Sequence, residues 1–177
     1  MRIVGGKYKG RLFHPGKRFN ARPTTDIAKE GLFNILENRY EFSNKNVLDL
    51  FSGTGSMGYE FISRGCEQAT FVENNFVHYK FIMEVLQALQ IENARVFKAD
   101  VFKFLKKSPD RFNIIFADPP YDMKDFETVP DAVMGTDLLA AEGVFILEHP
   151  KEYNFSSHPN FKEIRNYGKV NFSFFEK

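Results

Sequence analysis

The residues best suited to chemistry in this sequence are Asp118, Pro119, Pro120 and Tyr121, which directly follow the apolar run 112–117. An aromatic amino group offers two N–H donors, and the Asp118 carboxylate and the Pro119 carbonyl can each accept one. The prolines rigidify the turn and remove two amide donors, while Tyr121 can stack on a base. We therefore predict that these four catalytic residues hold the exocyclic amine of a nucleobase in line for group transfer to its nitrogen.

A second candidate region is the glycine-rich motif V-L-D-L-F-S-G-T-G-S-M-G at 47–58. Its glycines follow the G-x-G-x-x-G pattern, and Glu73 lies 20 residues beyond the first of them. That pattern leaves both nicotinamide enzymes and methyltransferases open. The Asp49 carboxylate would be repelled by a pyrophosphate but attracted by the α-ammonium of a methionine moiety. Asp49 therefore favours S-adenosylmethionine as the ligand.

The predicted cofactor-binding residues lie where successive strands end. The Glu73 carboxylate can accept hydrogen bonds from two ribose hydroxyls, and Asp100 can accept one from the adenine amino group. Capping of the helix that follows explains Asp100 equally well, and Asn75 is better explained as a helix cap. The full predicted set is Asp49, Phe51, Ser52, Gly53, Thr54, Gly55, Glu73, Asn74, Asp100 and Val101.

The elements that must position these residues alternate between short apolar runs and amphipathic segments. We predict strands at 47–51, 69–72, 94–98, 112–117 and 144–147, and helices near 57–63, 76–90, 101–106 and 131–141. A further helix runs from about Asp26 to Asn38 with Thr25 as its N-cap, and 161–175 predicts a closing antiparallel hairpin. Apolar strands alternating with helices indicate a parallel sheet whose ligands bind at the carboxyl ends of the strands.

The charge distribution separates an N-terminal arm, residues 1–22, from the remaining domain, residues 23–177. The first 25 residues carry seven basic and no acidic side chains, whereas the rest carries 17 basic and 23 acidic ones. Residues 2–14 predict a small β-hairpin that bears Arg2, Lys7, Lys9 and Arg11. A basic arm on an acidic body is typical of a protein that holds a polyanion, although a solvated terminus remains an alternative.

Several other classes of site find little support. Four scattered histidines and one cysteine offer no spacing for a metal site, and Cys66 is better suited to the core than to nucleophilic chemistry. No apolar stretch is long enough to span a bilayer. A single cysteine fits a reducing compartment, so we expect a cytoplasmic protein without a metal or a membrane partner.

Taken together, these motifs resemble the bacterial 16S ribosomal RNA guanine-N2 methyltransferases of the RsmD type. The glycine motif and D-P-P-Y alone indicate only amino-methylating enzymes, which include adenine-N6 enzymes. The matching stretches are RIVGGKYKGR (2–11), RPTTD (22–26), GLFNIL (31–36), VLDLFSGTGSMG (47–58), SRG (63–65), FVE (71–73) and FADPPY (116–121). The N-terminal GG-x-x-x-G-R and RPTTD narrow the resemblance to this family.

The resemblance implies an α/β fold with a Rossmann-like class I methyltransferase sheet, mostly parallel and seven-stranded, ending in an antiparallel hairpin. It also implies S-adenosylmethionine as donor and small-subunit ribosomal RNA as partner, within a ribosomal subunit or an assembly intermediate. Arg22 and Thr24 join the basic residues of the arm as expected contacts on the RNA or methionine side. The family often has an acid shortly after the strand-two glutamate, where this chain has Asn74 and Asn75.

The resulting hypothesis is a monomeric RNA (guanine-N2) methyltransferase. An adenine-N6 methyltransferase acting on DNA or RNA would use the same chemistry on another base. A nicotinamide-linked oxidoreductase remains open from the glycine motif alone. A non-catalytic RNA-binding protein on the same scaffold is a fourth class, against which the intact Asp118–Tyr121 turn argues.

Overall fold

The computed structural model describes residues 1–16 and 25–177, and the arrangement of its elements follows from alternating apolar runs and helices. The strands are β1 (Asn46–Leu50), β2 (Gln68–Glu73), β3 (Ala94–Lys98), β4 (Phe112–Ala117), β5 (Leu139–His149), β6 (Phe161–Tyr167) and β7 (Val170–Phe175). The helices are α1 (Asp26–Arg39), α2 (Ser56–Ser63), α3 (Phe76–Ala88), α4 (Val101–Lys107) and α5 (Val129–Met134). Short 3-10 helices lie at Phe42–Asn44 and Phe126–Thr128.

The seven strands form one sheet in the order β3-β2-β1-β4-β5-β7-β6. The first five strands in this order are parallel, whereas β7 is antiparallel to both β5 and β6. This is the predicted mostly parallel sheet with a C-terminal antiparallel hairpin, so the fold prediction is confirmed. The chain order reverses between β1 and β4, and such a switch point opens a crevice at the carboxyl ends of the strands.

The central strands β1 and β4 are mostly apolar because helices cover both faces of the sheet. One core contains side chains of α1, α2 and α3, and the other contains those of α4 and α5. Gly58 shows how closely α2 approaches the sheet, since a Cβ there would lie 2.1 Å from the Phe71 ring. The third glycine of the motif is therefore required by helix–sheet packing.

The predicted helix at 131–141 is wrong at its C-terminal half. The helix ends at Met134, and residues 139–141 belong to β5, which is longer than the predicted 144–147. Leu139 pairs with Phe112 and is buried, so sheet pairing overrides the helix propensity of the Leu-Leu-Ala-Ala run. The register then shifts between Phe112 and Ile114, which is the pattern of a β-bulge.

The β-hairpin predicted at 2–14 is a short antiparallel pairing without named strands: a bridge joins Arg2 and Leu12, and the Phe13 amide donates to the Met1 carbonyl at 2.9 Å. This segment packs against the end of α2, where the Lys7 amide donates a hydrogen bond to the Ser63 carbonyl at 2.6 Å. Ile3 and Val4 are buried, and Ile3 shares the core of α1 and α2. Arg22 and Thr24 lie outside the described residues, and the domain boundary at residue 22 stays a prediction.

Thr25 caps α1 as predicted, because its Oγ1 accepts a hydrogen bond from the Ala28 amide at 3.2 Å. No helix within residues 1–16 and 25–177 has the length and apolar character needed to cross a membrane.

Candidate active site

A cavity of about 880 Å³ opens at the carboxyl edge of the sheet. Its lining includes all four predicted catalytic residues and every predicted cofactor residue except Gly55. Ligand sites commonly measure roughly 300–1,000 Å³, so the cavity is large enough for a small organic molecule. The structure therefore brings the two motifs found in the sequence to one place.

The turn after β1 is held in an unusual backbone conformation by β2. Phe51, Gly53 and Gly55 all have positive φ, at 56°, 53° and 77°. Ser52 fixes the turn, because its amide donates to the Val72 carbonyl at 3.1 Å and its Oγ accepts from the Val72 amide at 3.0 Å. Gly55 lies outside the lining, and a Cβ there would meet the Tyr59 ring at 2.8 Å.

Glu73 connects the ends of β1 and β2. Its Oε2 accepts a hydrogen bond from the Gly53 amide at 2.7 Å, and its Oε1 accepts one from the Asn75 amide at 2.7 Å. The residue is only 8% exposed and lines the cavity. Each carboxylate oxygen keeps a second lone pair, so the side chain is fixed by backbone donors and can still accept two hydroxyls.

Asp49 lies in the floor of the cavity and is 2% exposed. Burial raises the pKa of Asp49 to about 7; the hydrogen bond from the Gly58 amide opposes this rise, and the Glu73 carboxylate adds to it. That bond is 3.0 Å long and runs from the first turn of α2. A cation placed in the cavity would favour the ionised form of this carboxyl.

The Asp118–Tyr121 turn leaves β4 directly beside the glycine turn, because Ala117 pairs with Leu50 across the β1–β4 ladder. The Pro120 carbonyl accepts the Met123 amide at 2.9 Å, which closes the turn. Among the described residues no donor reaches the Pro119 carbonyl. Burial raises the pKa of Asp118 well above its usual range, and the Glu148 and Asp49 carboxylates raise it further.

Glu148 is a neighbour of the site that the sequence analysis missed; it contacts Tyr121 and acts on Asp118 without itself lining the cavity. It lies near the end of β5, is 3% exposed, and accepts a hydrogen bond from the Tyr121 hydroxyl at 3.4 Å. The Tyr121 ring is 40% exposed and meets Phe126 edge-on at 6.3 Å between centroids. An acid that interrupts an apolar strand at its carboxyl end is the signal that identifies the other site acids, and it applies equally to Glu148.

Two polar residues of the cavity rim act as helix caps. The Asn75 Oδ1 accepts from the Val77 and His78 amides, which confirms its predicted role at the start of α3. Asp100 caps α4 through the Lys103 amide at 2.9 Å, so the capping explanation holds even though the residue also lines the cavity. Cys66 is buried, which raises the pKa of its thiol to about 12 and leaves it unreactive at neutral pH.

The basic side chains Arg2, Lys7, Lys9 and Arg11 are exposed, but none of them lines the cavity. The arm is connected to the cavity through Lys29, which is 1% exposed. Its Nζ donates to the Arg2 carbonyl at 2.5 Å and to the Ser56 Oγ at 3.0 Å, and Ser56 lines the cavity. Lys29 also pairs with Glu60, which contacts Arg64; we call Lys29, Glu60 and Arg64 the Glu60 cluster.

Comparison with known proteins gives one family and several relatives. The family described as Conserved hypothetical protein 95 matches residues 1–176. Ribosomal RNA small subunit methyltransferase D of Escherichia coli is 31% identical over 159 residues, which cover 90% of this chain and 79% of that protein.

Among solved structures, a hypothetical protein of Thermus thermophilus has a TM-score of 0.89 at 30% identity, covering 100% of this chain and 99% of its own. The Thermus thermophilus 16S rRNA N2 methyltransferase RsmC, solved with AdoMet and guanosine, has a TM-score of 0.71 at 20% identity. That match covers 90% of this chain and 45% of the RsmC chain, and it bears on the fold alone.

Proposed function

This chain belongs to the family described as Conserved hypothetical protein 95, the RsmD family, and we propose that it methylates the N2 amine of a guanine in small-subunit ribosomal RNA. The observation that carries the proposal is the meeting of two acceptors, the Asp118 carboxyl and the Pro119 carbonyl, with the glycine turn in one cavity.

The cavity suits S-adenosylmethionine, the methyl donor bound by the RsmC neighbour, in size and in the chemistry of its lining. Glu73 would accept the two ribose hydroxyls, and Asp49 would accept the α-ammonium. Asn74, Asp100 and Val101 would border the adenine. When bound, this group supplies an electrophilic methyl on a sulfonium.

The turn after β4 would hold the reacting amine. A guanine N2 amine has two N–H groups, and Asp118 and the Pro119 carbonyl would each accept one. Two such hydrogen bonds favour a pyramidal nitrogen, whose lone pair is no longer delocalised into the ring and can attack the methyl group. The Tyr121 ring, partly exposed beside them, would stack on the extruded base. Catalysis would thus come from positioning and electrostatics, with no covalent intermediate on the enzyme.

Asp118 would also receive the proton that the amine loses as its bond to the methyl carbon forms. A carboxylate with a raised pKa holds a proton more tightly than an ordinary aspartate, so it is a better acceptor. The neighbouring Glu148 carboxylate maintains that property, because a second negative charge disfavours ionisation of the first.

The RNA would contact the exposed basic side chains of the N-terminal arm, namely Arg2, Lys7, Lys9 and Arg11. Phosphate contacts of this kind supply affinity without reading sequence. Lys29 lies between this arm and the cavity wall, so arm and site are one packed unit.

The test is to incubate the protein with S-adenosylmethionine labelled in the methyl group and with small-subunit RNA, either naked or as assembled subunits. Digestion of the RNA to nucleosides then identifies the product. We expect the label in N2-methylguanosine.

Label in N6-methyladenosine would leave the chemistry intact and move the target to the adenine-N6 class. Calorimetry that finds tight NAD binding and no S-adenosylmethionine binding would instead favour the oxidoreductase. Binding of RNA with no label transferred under any condition would favour the non-catalytic class.

A further inference from the structure

A second recess lies outside the site, between the edge strand β3 and α4, with a volume of about 400 Å³. We call it the β3 slot. Its lining combines the apolar side chains of Phe97, Ala99 and Phe104 with three cations and two carboxylates; the charged residues are Arg95, Lys103, Lys107, Asp100 and Asp110. From this chemistry we infer that the β3 slot binds an unpaired nucleotide of the RNA substrate, an inference that rests on the proposed function.

The aromatic rings of the slot offer flat surfaces of the kind on which nucleobases stack. The rings of Phe97 and Phe104 lie 5.2 Å apart between centroids, and the Arg95 guanidinium lies 5.1 Å from the Phe97 ring centroid. Aromatic rings and arginine planes are the usual stacking partners of single-stranded bases. Phe104 is only 8% exposed and the Arg95 guanidinium lies over the Phe97 ring, so the Arg95–Phe97 pair is the surface on which a base would stack.

The lysines of the slot offer charge that the chain itself leaves largely unneutralised. Lys103 and Lys107 are exposed, and no carboxylate among the described residues forms an ion pair with either of them. Arg95 pairs with Asp110 at 3.0 Å, so the uncompensated charge of the slot comes from Lys103 and Lys107. Apolar side chains with cations beside them match a nucleotide, which has a flat base joined to a phosphate.

The charge of the surrounding segment is exceptional in the body of the protein. Residues 94–111 carry six basic and two acidic side chains, whereas the rest of 26–177 carries 11 basic and 21 acidic ones. The segment is thus a positive patch of +4 on a body that is otherwise at −10. This contrast favours a polyanion over a strand of another protein as the occupant of the edge beside β3.

The slot is also connected to the proposed active site. Asp100 lines both cavities, so the slot begins where the rim of the larger cavity ends. A single strand whose target base enters the larger cavity beside Asp118 would cross the ends of β1 and β2 to reach the slot, so the base bound there would lie a few nucleotides from the target base. Binding there would hold the extruded nucleotide in register, independently of the arm on the other face of the sheet.

The test compares two double variants of equal charge change. Lys103→Gln with Lys107→Gln neutralises the lysines of the slot, and Lys45→Gln with Lys162→Gln neutralises two lysines that lie near the opposite, amino edge of the sheet. The probe is a short single-stranded RNA containing 4-thiouridine. Its affinity is measured against salt concentration, and its photo-crosslinks are mapped by mass spectrometry.

We expect the slot variant to bind RNA several-fold more weakly than the control variant. The slope of log affinity against log salt should fall by about 0.7 for each phosphate that the variant no longer neutralises. Crosslinks in the wild type should include residues 95–109. Binding of S-adenosylmethionine should be equal in all three proteins.

Equal RNA affinity and salt slope in the two double variants, with crosslinks confined to the arm, would overturn the slot while methyl transfer by the wild type upheld the proposed function. Slot crosslinks together with no methyl transfer to small-subunit RNA or assembled subunits would uphold the slot and overturn the proposed function. Failure of the wild type to bind the short RNA would overturn the slot, whereas the proposed function is decided by the methyl-transfer assay.

Discussion

Glu60 and Asp118 are two carboxyl side chains whose charged neighbours differ in sign. Glu60 is fully buried, but Lys29 lies 3.1 Å from its Oε1 and Arg64 contacts its Oε2. The Val4 amide donates to the same carboxylate at 2.6 Å. Asp118 has no ion pair with any lysine or arginine of the described residues, and its charged neighbours are the acids Glu148 and Asp49.

The difference separates a structural cluster from a candidate site. A buried carboxylate costs several kcal/mol unless cations and hydrogen bonds offset it, and the Glu60 cluster supplies both. It thereby fastens the N-terminal segment to α1 and α2. Asp118 has no cation beside it in the described part of the chain, so a ligand that brings hydrogen-bond donors or positive charge would compensate its charge there. Groups left in this state are the ones that mark functional sites.

The largest expected effect is on methyl transfer in Asp118→Asn. Asparagine keeps one acceptor oxygen but cannot take up the proton, so we expect the rate of transfer to fall by about 10²- to 10⁴-fold. The measurement is single-turnover transfer to small-subunit RNA. Asp125→Asn is the matched control, because it removes an exposed carboxylate a few residues along the chain.

The same variant should gain stability where the wild type loses it. The folded-state pKa of Asp118 is raised, so its contribution to stability is fully present below the unfolded pKa and is lost as the pH rises through the folded pKa. Asparagine does not ionise, so Asp118→Asn should unfold at higher urea concentration than the wild type at pH 8. A variant that is inactive because it is less stable at pH 8 would contradict the assigned role.

Glu60→Gln should give the opposite result, a loss of stability. The substitution leaves Lys29 buried beside a neutral group while Arg64 keeps its ion pair with Glu37, and breaking a buried pair typically costs about 3–5 kcal/mol. Urea unfolding at neutral pH measures the change. Glu67→Gln removes an exposed carboxylate near the same helix and should stay within about 0.5 kcal/mol of the wild type. If Glu60→Gln left the free energy of unfolding unchanged, the contrast between a structural Glu60 and a functional Asp118 would fail.

The sequence predicted the parts of this molecule that depend on local pattern. Strands β1, β2 and β4 are mostly apolar because both of their faces are buried, and the ends of β1 to β4 carry the acids that line the cavity. The turn chemistry of the glycine motif and of residues 118–121 is equally local. These local features suffice to predict a site at the carboxyl edge of the sheet, which is where the cavity lies.

The parts that the sequence could not predict depend on contacts between distant segments. Lys29 and Glu60 lie 31 positions apart, on two helices whose approach is set by the whole core. Glu148 follows the predicted strand 144–147 just as Glu73 follows 69–72, but only the pairing of β5 with β4 brings it to Tyr121 and Asp118, and no motif in the sequence connects them. The β3 slot was not predicted because the net charge was summed over the whole domain. In that sum the positive charge of residues 94–111 is outweighed by the acidic residues around them.

The smallest expected effect is a shift of the pH profile in Glu148→Gln. Asp118 must be ionised to accept the amine N–H, so transfer should rise with pH as the Asp118–Glu148 pair loses its proton. Glutamine removes the like charge and lowers the pKa of Asp118, although burial still holds that pKa above its usual range. The rising limb of kcat/KM should therefore move to lower pH in Glu148→Gln and stay in place in Glu148→Asp, which keeps a carboxyl. The Tyr121 hydroxyl can still donate to a glutamine oxygen, so a fall in activity without a displaced limb would assign Glu148 to holding Tyr121 rather than to tuning Asp118.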